Sequence, residues 1–485
     1  MPSYVTKHPN AGDHLPGSWR SSTSLVIFTS ILGLFTETFL YGFVVPIVAY
    51  MFEVRLRQDP AYTQRYISGL LFLAGFVALS SAPIIGHLAD KTSNRRTLLL
   101  VSLAGCTIGT VLVSATPSVW AVFLGRAFQG VAGQGAWIAC FTMLTDKVDK
   151  KHFGKTLGFA SSFVAGGVLV GPATAGTLLE WLGYWTAWSI PFALLAIDLI
   201  ARLIMVEGPR AKGPSSPGED SDTVDEGEPN EATRLLPAEI QERSGTIIDD
   251  AKDGKAAAAK GFYQIMLTNG IVIVALINLV LLSAIVAALD ATFPLHLRNV
   301  FGWGPAPVGL IFLCIQIPSM IMGPIVGWLR DHIGLREPTT LGWILLVPTI
   351  WMIGIPGSWE LSFLDSKSKT EVAFVGCVTA FGVVSPLVRG AGTVQMTVTL
   401  SELEDRYPGT FGPHGGSSRM FSLAGIAFNV GLMVGPLLGG ALADTFGFYY
   451  MMCALAALCI VAAILSSAFF TDKRSVPFEA EGTSA

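Results

Sequence analysis

Charge is scarce in this chain. Of 485 residues only 14% are Asp, Glu, Lys or Arg, against roughly 25% in ordinary soluble domains. Hydrophobic residues make up 51% and mean hydropathy is +0.56, which excludes a disordered or solvated chain. The formal net charge is −4, so no basic surface is present for nucleic acid. Cysteine is also sparse. Cys106, Cys140, Cys314, Cys377, Cys453 and Cys459 all lie in apolar runs without CxxC or zinc spacing, so free buried thiols and no metal are expected. P-loop, HExxH and GxSxG patterns are missing. The sequence therefore offers no residues for nucleotide-driven work or covalent catalysis, and neither an enzyme nor a cofactor is expected. The first 20 residues are polar and show no short apolar core with a cleavage site, so no removable signal peptide is expected.

What fills the chain instead is apolar length. A bilayer core needs about 20 apolar residues per helix, and twelve such runs can be read: 24–50, 66–88, 97–115, 119–144, 156–178, 184–206, 265–292, 305–329, 338–356, 372–400, 418–442 and 447–470. The fold class is thus an all-α polytopic membrane protein. The charge is gathered between the sixth and seventh runs, where residues 207–262 hold 13 acids and 7 bases of the 66 charges. This Ser/Pro/Gly-rich acidic stretch is read as a disordered linker. The resulting organisation is a tail at 1–23, a six-helix bundle at 24–206, the linker at 207–262, a second six-helix bundle at 263–470 and a tail at 471–485. With both tails and the linker on one side, that side holds 16 Lys and Arg outside the linker and the other side holds 6. The positive-inside rule places the richer side in the cytoplasm.

The two halves carry matching landmarks. Gly86-His-Leu-Ala-Asp90-Lys91, followed by Arg95-Arg96, closes the second run, and Gly327-Trp-Leu-Arg-Asp331 closes the eighth. Gly167-x-x-x-Gly171-Pro172 in the fifth run is answered by Gly431-x-x-x-Gly435-Pro436 in the eleventh. Paired six-helix halves are an architecture of rocking carriers with a midplane site. Asp90, Lys91, Arg95 and Arg96 form a loop cluster able to brace one half against a helix terminus of the other, with Asp331 as the weaker second copy. Gly171-Pro172 and Gly435-Pro436 are expected to bend their helices and shape gating surfaces.

On these landmarks the chain resembles the major facilitator superfamily over essentially its whole length. The G-x-L-x-D loop resembles that superfamily's motif between spans 2 and 3, Arg126 in GRAFQGVAGQGA its span-4 motif, and Gly171-Pro172 the span-5 signature of antiporters. More narrowly, the chain is similar to the drug:proton antiporter branch that includes vesicular monoamine transporters and fungal multidrug or metabolite exporters. In TETFLYGFVVPI an acid precedes a proline by nine residues, and in ALDATFPL Asp290 precedes Pro294 by four. The chain departs from the amine transporters in having no acid in its tenth and eleventh spans, where SPLVRGAGTVQM and SLAGIAFNVG stand.

Intramembrane ionisable groups supply the candidate site residues. Glu37 sits near the centre of the first run, where an acid costs about 2.5–3.5 kcal/mol on insertion scales. Ser30, Gly33, Glu37 and Tyr41 share one helical face, which makes Glu37 the candidate proton carrier on a cavity wall. Arg126 shares a face with Gly130, Gly133 and Trp137, and Glu37 is its expected ionic partner. Asp290 is expected toward the outer third of the seventh span, as a substrate or second proton group or as a wetted helix end. Arg389 is expected deep in the tenth span, where it could pair with Asp290, attract an anionic group on the substrate, or reach cytoplasmic water. Asn278, Gln134, Gln316, Gln395 and Asn429 are read as cavity-lining residues or as helix-to-helix hydrogen bonds. Asp198 and Arg202, four residues apart, are expected to be an intrahelical pair at the membrane interface. In the linker, Glu231-Ala-Thr-Arg-Leu235-Leu236 matches an acidic dileucine pattern.

The function expected from residues and resemblance together is a proton-coupled antiporter exporting small amphipathic organic molecules. A nutrient symporter or uniporter, and a carrier-fold sensor, stay open as alternatives. The expected partners are protons, a small-molecule substrate and the lipid bilayer, in a monomer placed in the plasma membrane or, failing that, the vacuolar membrane.

Overall fold

The computed structural model describes residues 22–91, 95–147, 153–205, 262–357, 367–406 and 417–470. The linker with its dileucine pattern, both tails, and the side chains of Asp90, Lys91, Arg95 and Arg96 lie outside the described part. Among the described residues the chain is helical and contains no strand. The first six helices are α1 (Thr23–Tyr50), α2 (Thr63–Lys91), α3 (Arg95–Ala115), α4 (Val119–Lys147), α5 (Phe153–Leu182) and α6 (Tyr184–Ile204). After a short helix at Phe262–Thr268 come α7 (Gly270–Phe301), α8 (Pro305–Ile333), α9 (Arg336–Gly354), α10 (Lys367–Val384), α11 (Ala391–Arg406), α12 (Ser417–Phe446) and α13 (Phe448–Phe469).

The expected spans reappear with three differences. First, α7 runs on to Phe301, where Gly302 closes it with a left-handed φ of 70°. Asp290 therefore lies about two-thirds of the way along a continuous helix and is not a wetted end. Second, the tenth span is split. A 3₁₀ turn at Ser385–Leu387 and Gly390, with φ of 74°, separate α10 from α11. Pro386 has no N–H to continue the ladder, and the glycine supplies the turn. Third, ten stretches among the described residues are long and apolar enough to cross a bilayer, and α4 and α9 are not among them. α4 carries Arg126, Gln129, Gln134 and four glycines, and α9 opens on Arg-Glu-Pro-Thr-Thr. Both are nonetheless packed into their bundles, α4 against α3 and α2, and α9 against α13 and α10.

The helices form two bundles, α1–α6 and α7–α13. Each has an aromatic centre: Phe43 meets Trp188 edge-on at 5.2 Å in the first, and Phe374 meets Phe293 and Phe301 at 5.8 and 5.5 Å in the second. Glycine sets the close approaches. A Cβ on Gly171 would lie 2.6 Å from the Phe39 carbonyl of α1, and one on Gly435 would meet the Ala284 carbonyl of α7. Both helices run unbroken through their Gly-Pro steps. The glycines thus work as seams that let backbones touch. The same motifs then cross between bundles: Gly176 of α5 meets Pro305 and Gly309 of α8, while Gly440 of α12 meets Ser68 and Gln64 of α2.

Polar contacts also join the bundles, at the end opposite the linker. Arg298 donates to both oxygens of Glu53, at 2.5 and 2.8 Å, and Thr63 donates to the same carboxylate. Glu180 accepts from the Ala306 N–H in the first turn of α8 at 2.8 Å. Gln64 donates to the Ala291 carbonyl, and Arg65 pairs with Asp444 at the rim.

Candidate functional site

Glu37 sits at the midpoint of α1 and is half-buried. Its carboxylate accepts a hydrogen bond from the Cys106 thiol of α3 at 3.5 Å. It lies so close to Gly133 of α4 that any side chain there would strike it. The space for the acid is therefore made by the glycine face of α4 that also carries Arg126. Arg126 is buried at 3% exposure. It does not ion-pair with Glu37 as expected: among the described residues no ion pair joins them. Instead its Nη1 donates to Gln129 at 3.1 Å, and Gln129 in turn donates to Thr110. Arg126 Nε and Nη2 are buried without a partner. Its guanidinium sits 5.6 Å from the ring centre of Tyr41, one turn above Glu37.

Asp290 of α7 and Arg389 of the α10–α11 break supply the second half of the constellation. Asp290 is half-buried and Arg389 exposed, and they interact electrostatically without an ion pair among the described residues. Tyr41 of α1 is within electrostatic reach of both Arg126 of its own bundle and Asp290 of the other. Of these five residues, Arg126 and Tyr41 are in contact, and Glu37, Asp290 and Arg389 are linked to that pair through electrostatic reach alone.

Other expected residues are placed elsewhere. Asn278 is buried in a knot where it accepts from Trp343 Nε1 at 2.6 Å and donates to Ser466 at 3.0 Å; it holds α7, α9 and α13 together and does not line the site. Gln134 and Asn429 are half-buried on α4 and α12. Gln395 is buried and donates to Thr399 within α11. Asp331 is exposed at the linker end of α8. Asp198 and Arg202 do form the intrahelical pair, at 2.8 and 2.9 Å. The pair is only 3% and 1% exposed, so it belongs to the interior of the first bundle and not to an interface.

Sequence reasoning missed three partners. Cys106 and Gln129 each lie on a helix face toward a charge, and the Arg126-x-x-Gln129 spacing was the available signal. Arg330 was hidden in the G-x-L-x-D motif as its variable position. Its Nη2 donates to the carbonyls of Pro386, Leu387 and Arg389, at 3.2, 2.8 and 3.1 Å. These are the carbonyls that the helix break leaves without i+4 donors, and in hydrocarbon each would cost several kcal/mol unpaired.

Residues 26–404 and 407–484 match the family model described as Major Facilitator Superfamily. The chain belongs to that superfamily. It is a membrane transporter with multiple spans. It is 29% identical over 460 residues to the MFS-type transporter ppzB of Metarhizium majus, covering 92% of this chain and 99% of that one. It is 23% identical over 379 residues to the multi-drug resistance efflux pump PmrA homolog of Lactococcus lactis, covering 78% of each. Among solved structures, a point mutant of the nucleoside transporter NupG aligns with a TM-score of 0.64 and 12% identity, covering 92% of this chain and 100% of that one. That last likeness speaks for the fold alone.

Proposed function

We propose that the chain is a proton-coupled antiporter that exports small amphipathic organic compounds from the cytoplasm by alternating access. The observation that carries this reading is Glu37. It is an acid at mid-membrane depth, half-buried, with a thiol as its hydrogen-bond partner and a buried guanidinium nearby whose Nε and Nη2 are unpartnered. A carboxyl so placed can hold a proton in one state and take Arg126 in the other. The likeness to an efflux pump supports the export direction.

The bonded end, with Glu53–Arg298 and Glu180–Ala306, is read as the outer gate, closed. The linker end then faces the cytoplasm and the conformation is inward-facing. Substrate enters against Asp290, Arg389 and Tyr41 while Glu37 is ionised. The bundles rock, substrate leaves outside, and Glu37 takes a proton that it returns to the cytosol. One charge crossing 100 mV is worth about 2.3 kcal/mol and one pH unit about 1.36, so one proton sustains a gradient of roughly several hundred-fold for a neutral solute. The linker over 207–262 joins the bundles on the cytoplasmic side, and a monomer in the plasma membrane suffices.

The test is efflux of ethidium, rhodamine 6G and tetracycline from proteoliposomes, with and without a protonophore. Transport that collapses on adding the protonophore, and in Glu37→Gln, is the expected result. Transport indifferent to pH and potential removes proton coupling.

A further inference from the structure

Glu37 has an acidic neighbour on another helix. α6 runs antiparallel to α1, and two contacts fix their register. Thr29 donates to Met205 Sδ at 3.1 Å, and Arg202 packs against Gly33, whose missing side chain makes room for the guanidinium. The next step along this register, four residues on in α1 and four back in α6, sets Glu37 level with Asp198. The Glu37 side chain also leans toward the N-terminus of α1, hence toward Gly33 and Arg202. Asp198 and Arg202 are both within electrostatic reach of Glu37. Arg202 is 1% exposed, and although Nε and Nη2 bond Asp198, its Nη1 is buried without a partner. A fully buried guanidinium with an unused N–H, packed one turn from Glu37 and within its electrostatic reach, is an unfinished site.

We propose that Glu37 and Asp198 share one proton, with Arg202 as their common counter-ion, so that Asp198 is a second proton-binding residue of the carrier. This rests on Glu37 being the proton carrier. In the step itself the Glu37 O–H bond breaks and an O–H bond forms on Asp198. Arg202 follows the negative charge, releasing Asp198 and donating through Nη1 to the Glu37 carboxylate. Two carboxyls, one proton and one guanidinium sum to zero charge before and after. The transfer therefore moves a charge inside a low-dielectric bundle without creating a new one. The other polar groups facing Glu37 are Arg126 and the Cys140 thiol from α4, the thiol also accepting from Arg202 Nη2 at 3.8 Å, and the Cys106 thiol from α3, while α5 presents Gly167 to this stretch of α1.

The experiment uses the full chain in proteoliposomes and dicyclohexylcarbodiimide, which modifies protonated buried carboxyls, with labelling at Glu37 and Asp198 read by peptide mass spectrometry at pH 7. In Asp198→Asn, Arg202 passes to the Glu37 carboxylate and labelling of Glu37 falls several-fold. In Arg202→Gln, and in the double variant Asp198→Asn/Arg202→Gln, it rises several-fold. Arg202→Lys, which keeps the charge, stays within about twofold of the unmodified protein. This reversal of sign is not what helix glue would give. Equal Glu37 labelling in the unmodified protein and Arg202→Gln overturns the proposal, whether or not Asp198→Asn folds. Protonophore sensitivity of ethidium efflux is read on the same vesicles. Labelling that reverses sign in a carrier blind to the gradient removes proton coupling and leaves the shared proton; a coupled carrier with invariant labelling does the opposite.

Discussion

The two bundles carry matching glycine seams at Gly171 and Gly435 but differ in how they treat charge. In the first, Arg126, Asp198 and Arg202 are all buried at 3% exposure or less, and Glu37 sits among them. In the second, Asp290 is half-buried, Arg389 is exposed, and neither is ion-paired among the described residues. The second bundle also breaks its helix beside Arg389, while no break interrupts α1 or α4. A densely charged site, in which Glu37 sits among buried Arg126, Asp198 and Arg202, suits a small ion whose position must be controlled. An open site beside an irregular turn suits cargo of variable shape. Under the proposed function, the scaffold is used twice and its side chains are expected to divide the work between proton and cargo.

The sharpest way to break that division is to neutralise one acid in each bundle. Glu37→Gln should reduce gradient-driven efflux by about 100-fold or more, the scale of losing a positioned proton-transfer group. Asp290→Asn should leave the gradient dependence intact and change half-saturation. Equal loss of coupling in both variants would show that the bundles do not divide the task. Next comes the gate between them. Glu53→Gln removes the bidentate acceptor of Arg298, about 1.5–3 kcal/mol for hydrogen bonds to charged groups. It should shift the population toward an opened far end, read as a longer spin–spin distance across Glu53 and Arg298 flanks by double electron–electron resonance.

The symmetry itself is tested by the glycine seams. Gly171→Ala and Gly435→Ala each place a methyl against a neighbouring carbonyl and should each cost about 1–3 kcal/mol of stability, seen as a lowered melting temperature in detergent. A large cost in only one would mean that the seams are not equivalent. The smallest effect is expected at Arg389→Gln: a change of a few-fold in half-saturation that differs from compound to compound, with the protonophore response unchanged.

The fold was legible because bilayer thickness forces long apolar runs, and the internal repeat of G-x-L-x-D and Gly-Pro landmarks marks the halves. The depth of Glu37 could be read the same way, since helix rise converts position into depth. Other features could not. Asp198 and Arg202 have interface spacing, and only the packing of α6 against Gly33 shows that they are interior. The expected Glu37–Arg126 pair followed from their both being lone charges in one bundle, but Gln129 takes the arginine first. Asn278 looked like a cavity residue because polar groups in a span are rare; Trp343 and Ser466, far away in sequence, make it a knot. Partner choice between helices is tertiary information, and periodicity carries none of it.

The clamp that Arg330 places on the α10–α11 break has a consequence for biogenesis. A span with three unsatisfied carbonyls is poorly suited to lipid alone. Those carbonyls find their donor only when α8 lies beside them. Because α8 is synthesised first, the guanidinium is already waiting when the broken span arrives. The order of helices along the chain therefore doubles as an assembly schedule, and moving Arg330 to a later helix would leave the newborn tenth span without its chaperone.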